Sequence, residues 1–166
     1  MKHIIVIPVF NDWKSLNKLL LQLNKNLEKQ KKINHEILII NDNSSEKIKL
    51  KLKKLKILKN IKILSLNKNF GSQISIAIGL NYLKKIKGNF YITVMDADGE
   101  DNPRQVNRML KEAINNQSLV ITSNRKKRKE ALIIVFLYKV HLLITFLFTM
   151  KWISFGNFST FCSKNL

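Results

Sequence analysis

Short apolar runs alternate with longer amphipathic stretches along most of the chain. Five runs have the length of buried strands: His3 to Ile7, Glu36 to Ile40, Ile61 to Leu66, Phe90 to Met95 and Ser118 to Thr122. The stretches between them predict helices over Trp13 to Lys29, over the Lys- and Leu-rich residues before Ile61, over Gly71 to Ile86, and from Pro103 for about a dozen residues. Continuous apolar strands that alternate with helices are typical of an α/β fold whose parallel sheet is covered on both faces.

Polar loops follow the first four predicted strands and read PVFND, NDNSS, NKNFGS and DADGED. In parallel sheets, ligands bind beyond the carboxyl ends of the strands. The four loops are far apart in the sequence, yet this rule brings them to one edge of the sheet. The pattern therefore predicts a single binding site to which all four loops contribute.

The charge of the chain is one-sided, with 30 Lys and Arg against 11 Asp and Glu and a net charge of +19. Such a surplus indicates an anionic partner, for example a phosphorylated metabolite or an anionic lipid surface. A compositional bias toward Lys, Asn and Ile at tolerant surface positions explains the surplus as well. The chain has no recognised nucleic-acid motif, and its aromatic residues lie largely in apolar runs, so no nucleic-acid partner is expected.

Four of the eleven acidic residues occur within the six residues from Asp96 to Asp101. Carboxylates crowded at the end of a strand bind a cation or have shifted pKa values. An EF-hand is excluded, because glycine falls at the fourth position and no Glu closes the loop at position twelve. A turn with two carboxylates suits Mg²⁺ or Mn²⁺, which complete their coordination with phosphates and water. The alternative is a solvated acidic turn at the start of the helix near Pro103.

A long apolar stretch, ALIIVFLYKVHLLITFLFTM, occupies residues 131–150. Its length is enough to span a bilayer, but Lys139 and His141 near its centre make a simple span costly. Two interpretations stay open: a helix at the membrane surface, which the basic residues RKKRK just before it would suit, and a helix packed on the sheet. The chain is therefore divided into a core at 1–130 and an apolar segment at 131–166.

The motifs IPVFND, IINDNSS, NKNFGSQISIAIGLNY, MDADGEDNP and SNR follow one another in this order. In order and spacing they resemble the family 2 glycosyltransferases of GT-A fold, and most closely the branch of dolichyl-phosphate mannose synthase-like, polyprenyl-phosphate sugar transferases. The resemblance extends to about Cys162. It implies a Rossmann-like, three-layer sandwich with a mostly parallel central sheet, whose core binds a nucleotide-diphosphate sugar.

The resemblance implies a role for each matching residue. The residues expected at the nucleotide sugar are Pro8, Phe10, Asn11, Asp42, Asn69, Gly71, Asp96 and Ala97, with Asp42 on the base or ribose. Asp96 and Asp98 match the pair that holds Mg²⁺ or Mn²⁺ on the diphosphate, and Glu100 is a candidate third ligand. The candidate catalytic residues are Asp98, Arg125 and Asn157, with Arg125 near the donor and acceptor phosphates. Asp101 is expected at the helix start.

Three positions depart from the pattern of the family. Asn41 and Asp42 replace an acidic pair, Ser123-Asn124-Arg125 replaces Gly-Ser-Arg, and Asn157 stands where many relatives have an acidic candidate base. An asparagine cannot take up a proton at neutral pH, but the oxygen of a phosphate acceptor is already ionised and needs little help from a base. Asn157 therefore favours a phosphate acceptor over a sugar hydroxyl.

The resemblance implies transfer of a sugar from a UDP- or GDP-sugar to a lipid acceptor, with inversion at the anomeric carbon and a divalent cation. Polyprenyl phosphate is the expected acceptor. The expected location is the cytoplasmic face of the plasma membrane, in the synthesis of cell-envelope glycans, with the protein peripheral or membrane-associated. Relatives continue beyond the position of Leu166. The alternative function is that of a truncated or inactive domain that binds nucleotide sugar or a partner without turnover. Among the partners, a second copy of the chain or a missing C-terminal membrane segment stays open.

Overall fold

The computed structural model describes residues 1–28, 30, 32–58, 60–123 and 156–166. Strands and helices follow one another as β1 (Lys2–Val9), α1 (Trp13–Leu27), β2 (Asn34–Asn41), β3 (Asn60–Ser65), α2 (Ser72–Leu83), β4 (Tyr91–Val94), α3 (Val106–Asn115), β5 (Ile121–Thr122) and β6 (Ser159–Cys162). Turns of 3₁₀ helix lie at Leu52–Lys54, Pro103–Gln105 and Ser163–Asn165. The five strands expected from the sequence are therefore present, together with a sixth.

The strands form a sheet in the order β3-β2-β1-β4-β6-β5. Strand β1 pairs in parallel with β2 and β4, and β2 pairs in parallel with β3. Strand β6 is antiparallel to both β4 and β5. The predicted α/β fold with a mostly parallel central sheet is confirmed. Because β1, β2, β3 and β4 point in one direction, the loops that follow them meet at the same edge.

Helices cover both faces of this sheet. Ile5 and Ile7 of β1 pack in one buried cluster with apolar residues of α1 and α3. Ile4 and Val6 of the same strand pack in another cluster, with apolar residues of α2. This alternation follows from the period of two along a strand, which directs successive side chains to opposite faces. The result is the expected three-layer sandwich.

The helix predicted over the Lys- and Leu-rich residues before β3 is wrong. In that stretch the described residues contain only the 3₁₀ turn at Leu52–Lys54. The backbone N–H groups of Lys51 and Ile57 donate instead to the side-chain oxygens of Asn17 at 2.7 Å and Asn24 at 2.8 Å, both on α1. These amides obtain from α1 the acceptors that a helix would have supplied, so the stretch lies along α1 in an irregular conformation.

Two further differences from the sequence-based expectations concern the end of the chain. Strand β6 was not predicted. It contains only four residues and pairs between β4 and β5, and nothing in its own sequence indicates this pairing. The fifth predicted strand is shorter than expected and is reduced to Ile121–Thr122. The apolar stretch at 131–150 lies outside the described residues. None of the helices in the described part of the chain combines the length and the hydropathy that a membrane span requires.

A buried polar network crosses four strands near the opposite edge of the sheet from the four loops. The Nδ1 atoms of His3 and His35 are 3.0 Å apart, and His3 Nε2 lies 2.8 Å from Thr93 Oγ1. Thr93 Oγ1 is in turn 2.8 Å from Thr160 Oγ1. A hydrogen bond between two imidazole nitrogens needs one of them to carry no proton, so both rings cannot be charged in this arrangement.

The stability of the protein is expected to decrease as the pH falls below 6.5. Burial lowers the pKa of His3 to about 3, with a smaller contribution from the neighbouring His35, and lowers the pKa of His35 to about 4. In the unfolded chain, these two histidines bind protons below their ordinary pKa of 6.5. In the folded protein they stay neutral down to about pH 4, so acid favours unfolding. Urea unfolding between about pH 7 and about pH 4.5 measures the effect.

The double variant His3→Leu, His35→Leu serves as the control for this prediction. It lacks both imidazoles, whereas the carboxylates that titrate at lower pH are unchanged. We expect a clearly smaller loss of unfolding free energy over the same pH range in the double variant than in the wild type. Equal losses in the two proteins would contradict the prediction.

Candidate functional site

A cavity of about 300 Å³ opens at the carboxyl ends of the parallel strands. Its walls come from the first, second, third and fourth polar loops and the residues beside them: Pro8, Val9, Phe10, Asp12, Asp42, Ser72, Asp96, Ala97 and Asp98. All four loops that the sequence analysis assigned to one site therefore contribute to it. Three of these lining residues, Val9, Asp12 and Ser72, were not predicted as site residues. The other six were: Pro8, Phe10, Asp42, Asp96, Ala97 and Asp98.

The loop after β1 has one exposed aromatic residue and one residue that anchors it. Phe10 lines the cavity with half of its surface exposed (50 %). Asn11, at φ +55°, faces the loop after β2: its N–H donates to Ser44 Oγ at 3.0 Å, and its side-chain oxygen accepts from the N–H of Glu46 at 3.1 Å. Asn11 is not among the residues that line the cavity. It joins the first two loops.

Asp42 connects the loop after β2 to the start of α2. Asp42 is only 3 % exposed, and its two carboxylate oxygens accept from the backbone N–H groups of Phe70 and Gly71, each at 2.8 Å. Gly71 has φ +84°, in the left-handed region that favours glycine, and Asn69 Oδ1 also accepts from its N–H at 3.0 Å. Asp42, Asn69 and Gly71 therefore shape the turn that brings Ser72, the first residue of α2, into the cavity wall.

The acidic loop after β4 places two of its four carboxylates at the cavity. Asp96 and Asp98 line it, on either side of Ala97. Asp98 Oδ1 accepts from the N–H of Glu100 at 2.9 Å, across Gly99 at φ +87°. Glu100 is exposed and does not line the cavity. The loop therefore turns tightly so that the first two of its four acidic residues, rather than all four, line the cavity.

The expectation for Asp101 is corrected by the structure. Asp101 is buried, and its Oδ2 accepts from the backbone N–H of Asp96 at 2.9 Å, so it braces the acidic loop. The cap of the turn at Pro103–Gln105 is Asn102, whose side-chain oxygen accepts from the N–H of Arg104 at 3.1 Å. The cap therefore belongs to Asn102, whereas Asp101 holds the end of the strand.

The carboxylates at the cavity fit a magnesium- or manganese-type ion. Such ions bind through one or two protein carboxylates and fill their other positions with phosphates and water, which matches Asp96 and Asp98 beside an open cavity. Among the described residues, no group of three or more His, Cys, Asp and Glu side chains could hold a metal. The two-carboxylate set thus has support in the donor chemistry, and Glu100 as a third ligand stays a prediction.

Of the two remaining candidate catalytic residues, Arg125 and Asn157, the structure describes only Asn157. Arg125 lies outside the described residues. Asn157 precedes β6, and its Oδ1 accepts from Nε2 of Gln73 in the first turn of α2 at 2.8 Å. Since Ser72 lines the cavity, this contact brings Asn157 beside the α2 wall of the site. Gln73 was missed by the sequence analysis, because its partner is 84 residues away and no local pattern connects them.

Asp12, also missed, has a role that its sequence position indicates. Its Oδ1 accepts from the N–H of Ser15 at 3.0 Å and caps α1. An aspartate just before an amphipathic run is a typical N-cap, and this signal was available. Because the helix begins directly after the first loop, its cap residue also lies in the cavity wall.

The motifs and the fold both indicate one family, and comparison of the chain with known proteins gives the same family. A family model described as glycosyl transferase family 2 matches residues 4–163. The chain belongs to this family. The resemblance found in the sequence motifs is confirmed, and the GT-A fold that it implied is supported by solved structures. The crystal structure of S. aureus TarS 1-349 in complex with UDP-GlcNAc matches with a TM-score of 0.54 and 19 % identity, over 80 % of this chain and 37 % of that one.

Two curated relatives of this family 2 chain are informative. The uncharacterized glycosyltransferase YkcC of Bacillus subtilis (strain 168) is 30 % identical over 131 residues, which are 78 % of this chain and 39 % of YkcC. The undecaprenyl-phosphate 4-deoxy-4-formamido-L-arabinose transferase of Proteus mirabilis (strain HI4320) is 29 % identical over 126 residues, 75 % of this chain and 37 % of that protein. The chain spans about two fifths of the length of such relatives.

Proposed function

We propose that this family 2 protein transfers a sugar from a nucleotide-diphosphate sugar to polyprenyl phosphate. The observation that carries the proposal is the cavity itself, in which an exposed aromatic ring and two acidic side chains, Asp96 and Asp98, line one open space. An exposed aromatic ring suits the flat base of a nucleotide sugar, and two carboxylates suit the divalent cation that accompanies its diphosphate. UDP and GDP both meet this description, so the base is left for experiment.

The nucleotide end of the donor is assigned to the loops after β1 and β2. Phe10 is half exposed at the cavity, and an exposed aromatic face is suited to stacking on a base. Asp42 lines the same cavity. Because each of its oxygens already accepts one backbone N–H, only its second lone pairs are left to accept a ribose or base donor. Asp42 thus acts on the donor and holds the loop at once.

The diphosphate is assigned to the acidic loop. Asp96 and Asp98 are the residues that would hold Mg²⁺ or Mn²⁺, and a bound ion would supply charge neutralisation at the diphosphate. The start of α2 faces the same cavity through Ser72, and a helix N-terminus carries partial positive charge that stabilises anions. Arg125 is proposed to add a further positive charge near the phosphates. Together these groups would favour departure of the nucleotide diphosphate.

The acceptor is proposed to be a lipid phosphate. An ionised phosphate oxygen attacks the anomeric carbon opposite the leaving group; the new carbon–oxygen bond forms while the bond to the diphosphate breaks, and the nucleotide diphosphate leaves with the electron pair. The configuration at the carbon is inverted. No general base is required, which agrees with an asparagine at position 157. The Proteus mirabilis relative, whose name includes undecaprenyl phosphate, supports this acceptor class.

Such an acceptor places the proposed reaction at a membrane surface, and we propose the cytoplasmic face of the plasma membrane. The net charge of +19 would attract the protein to anionic headgroups there. A second candidate, binding of nucleotide sugar without turnover, is favoured by one observation: Asn157 occupies the position of a candidate base. Transfer assays distinguish the two.

The full chain is to be incubated with Mn²⁺, radiolabelled UDP- and GDP-sugars, and vesicles that contain undecaprenyl phosphate. We expect labelled lipid with at least one donor, and none when the lipid phosphate is replaced by undecaprenol. Transfer to sugar hydroxyls with none to the lipid phosphate would contradict the proposed acceptor. Donor binding without transfer to any acceptor would support the binding-only candidate and overturn the proposed activity.

A further inference from the structure

An amide pair joins the start of α2 to the segment before β6. Gln73 follows directly on Ser72 of the cavity wall, and its Nε2 donates to Asn157 Oδ1 at 2.8 Å. The backbone around Asn157 is held as well: the carbonyl of Asn157 accepts from Ser159 Oγ at 3.1 Å, and the ring of Phe158 is almost fully buried. Asn157 therefore has a defined position, and its amide has a defined orientation.

The orientation of an asparagine amide decides which chemistry it presents. One end of the group is an oxygen that only accepts, and the other is an NH₂ that only donates. Because Oδ1 of Asn157 is bound to Gln73, the NH₂ end is turned away from Gln73. We propose that Gln73 is a positioning residue that makes Asn157 present N–H donors to the phosphate of the acceptor. This inference rests on the proposed function and identifies how the acceptor class is selected.

The same pair explains the effect of the departure at position 157. A carboxylate there would also accept from Gln73 Nε2, but its second oxygen would remain an acceptor with negative charge. That oxygen would take the proton of a hydroxyl acceptor and repel a phosphate. With Asn157, the NH₂ end donates to an anion and cannot remove a proton. The pair Gln73 and Asn157 thus selects a phosphate over a hydroxyl.

The inference is tested by binding, without any transfer step. Farnesyl phosphate is titrated into the full chain by calorimetry, in the presence of Mn²⁺ and UDP or GDP, with farnesol and inorganic phosphate as separate probes. Gln73→Met keeps the side-chain volume but cannot donate, so Asn157 is free to rotate. We expect its affinity for farnesyl phosphate to fall about three- to tenfold, with the affinity for the nucleotide unchanged.

Two further variants sharpen the test. Gln73→Glu can only accept at neutral pH, so Asn157 must turn its NH₂ toward Glu and its oxygen outward; we expect a larger loss than for Gln73→Met. Asn81→Met is the matched control, since Asn81 is exposed at the far end of the same helix. It should bind farnesyl phosphate like the wild type. The unfolding free energy of the Gln73 variants should also be close to that of the wild type, because Gln73 is exposed.

The outcomes separate this inference from the proposed function. If Gln73→Met and Gln73→Glu bind farnesyl phosphate as tightly as the wild type does, while the nucleotide still binds, Gln73 has no positioning role and the inference is overturned alone. If the wild type binds farnesyl phosphate no better than farnesol, the acceptor in the proposed function is wrong. Equal binding of inorganic phosphate and farnesyl phosphate would support the N–H donors and show that the lipid chain adds no affinity.

Discussion

Replacing Asp98 by alanine is expected to remove the metal-dependent part of nucleotide-sugar binding. Asp98 lines the cavity with Asp96, and two carboxylates are the protein ligands that a magnesium-type ion commonly has. Since loss of a group that only supports a metal ligand lowers metal affinity about 10–100-fold, loss of a ligand should cost at least about 100-fold. Calorimetry with UDP- and GDP-sugars, with and without Mn²⁺, measures the effect.

Two other acidic residues make this test specific. Glu112→Ala removes a carboxylate on α3 that pairs with Arg108 at 3.0 Å, away from the cavity, and should bind the donor like the wild type. Glu100→Ala tests the third-ligand prediction separately: a loss comparable to that of Asp98→Ala supports it, and wild-type affinity removes Glu100 from the set. Metal-independent donor binding in the wild type, or equal binding by wild type and Asp98→Ala, would defeat the two-carboxylate assignment.

Replacing Asp42 by alanine is expected to reduce both stability and donor binding. The buried carboxylate accepts two backbone hydrogen bonds at 2.8 Å, and bonds to charged groups contribute about 1.5–3 kcal/mol each. Without it, the N–H of Phe70 loses its acceptor and the N–H of Gly71 keeps only the side-chain oxygen of Asn69. We expect the free energy of unfolding to fall by roughly 3 kcal/mol, as measured by urea denaturation without ligand.

Asp12→Ala is the matched control for Asp42→Ala. It removes another carboxylate of the cavity wall, but one that caps α1 with a single bond to Ser15, so a loss of about 1 kcal/mol is expected. Donor affinity should be lower in Asp42→Ala than in Asp12→Ala, since only Asp42 holds the turn that leads to Ser72. If Asp12→Ala destabilises the protein as much as Asp42→Ala does, the bracing role of Asp42 is wrong.

Much of the fold was predictable because its signals are local. Strands β1, β2 and β4 contain apolar runs because both of their faces are buried under helices, and this pattern was sufficient to find them. Helix α1 carries leucines at helical spacing, and its predicted start at Trp13 is the observed one. The rule that ligands bind at the carboxyl ends of parallel strands was then sufficient to bring the four loops together at one site.

The errors occurred where partners distant in sequence replace a local pattern. The Lys- and Leu-rich stretch has a composition typical of a helix. It does not form one, because the side chains of Asn17 and Asn24 on α1 accept from its backbone N–H groups. Strand β6 has only four residues and exists because β4 and β5 offer it edges on both sides. Asp101 was expected at a helix start, but the N–H of Asp96 binds its carboxylate.

The sequence by itself determined the order of the main strands and helices, the family and the residue types at the site, because each of these depends on composition and spacing along the chain. Only the tertiary structure decided how those residues are used. It assigned Asp96 and Asp98 to the cavity but not Glu100, bound Asp42 to the backbone of Phe70 and Gly71, and joined Gln73 to Asn157. The physical reason is that a hydrogen bond depends on distance and direction in space, which residues far apart in the chain acquire only when the sheet and helices have packed.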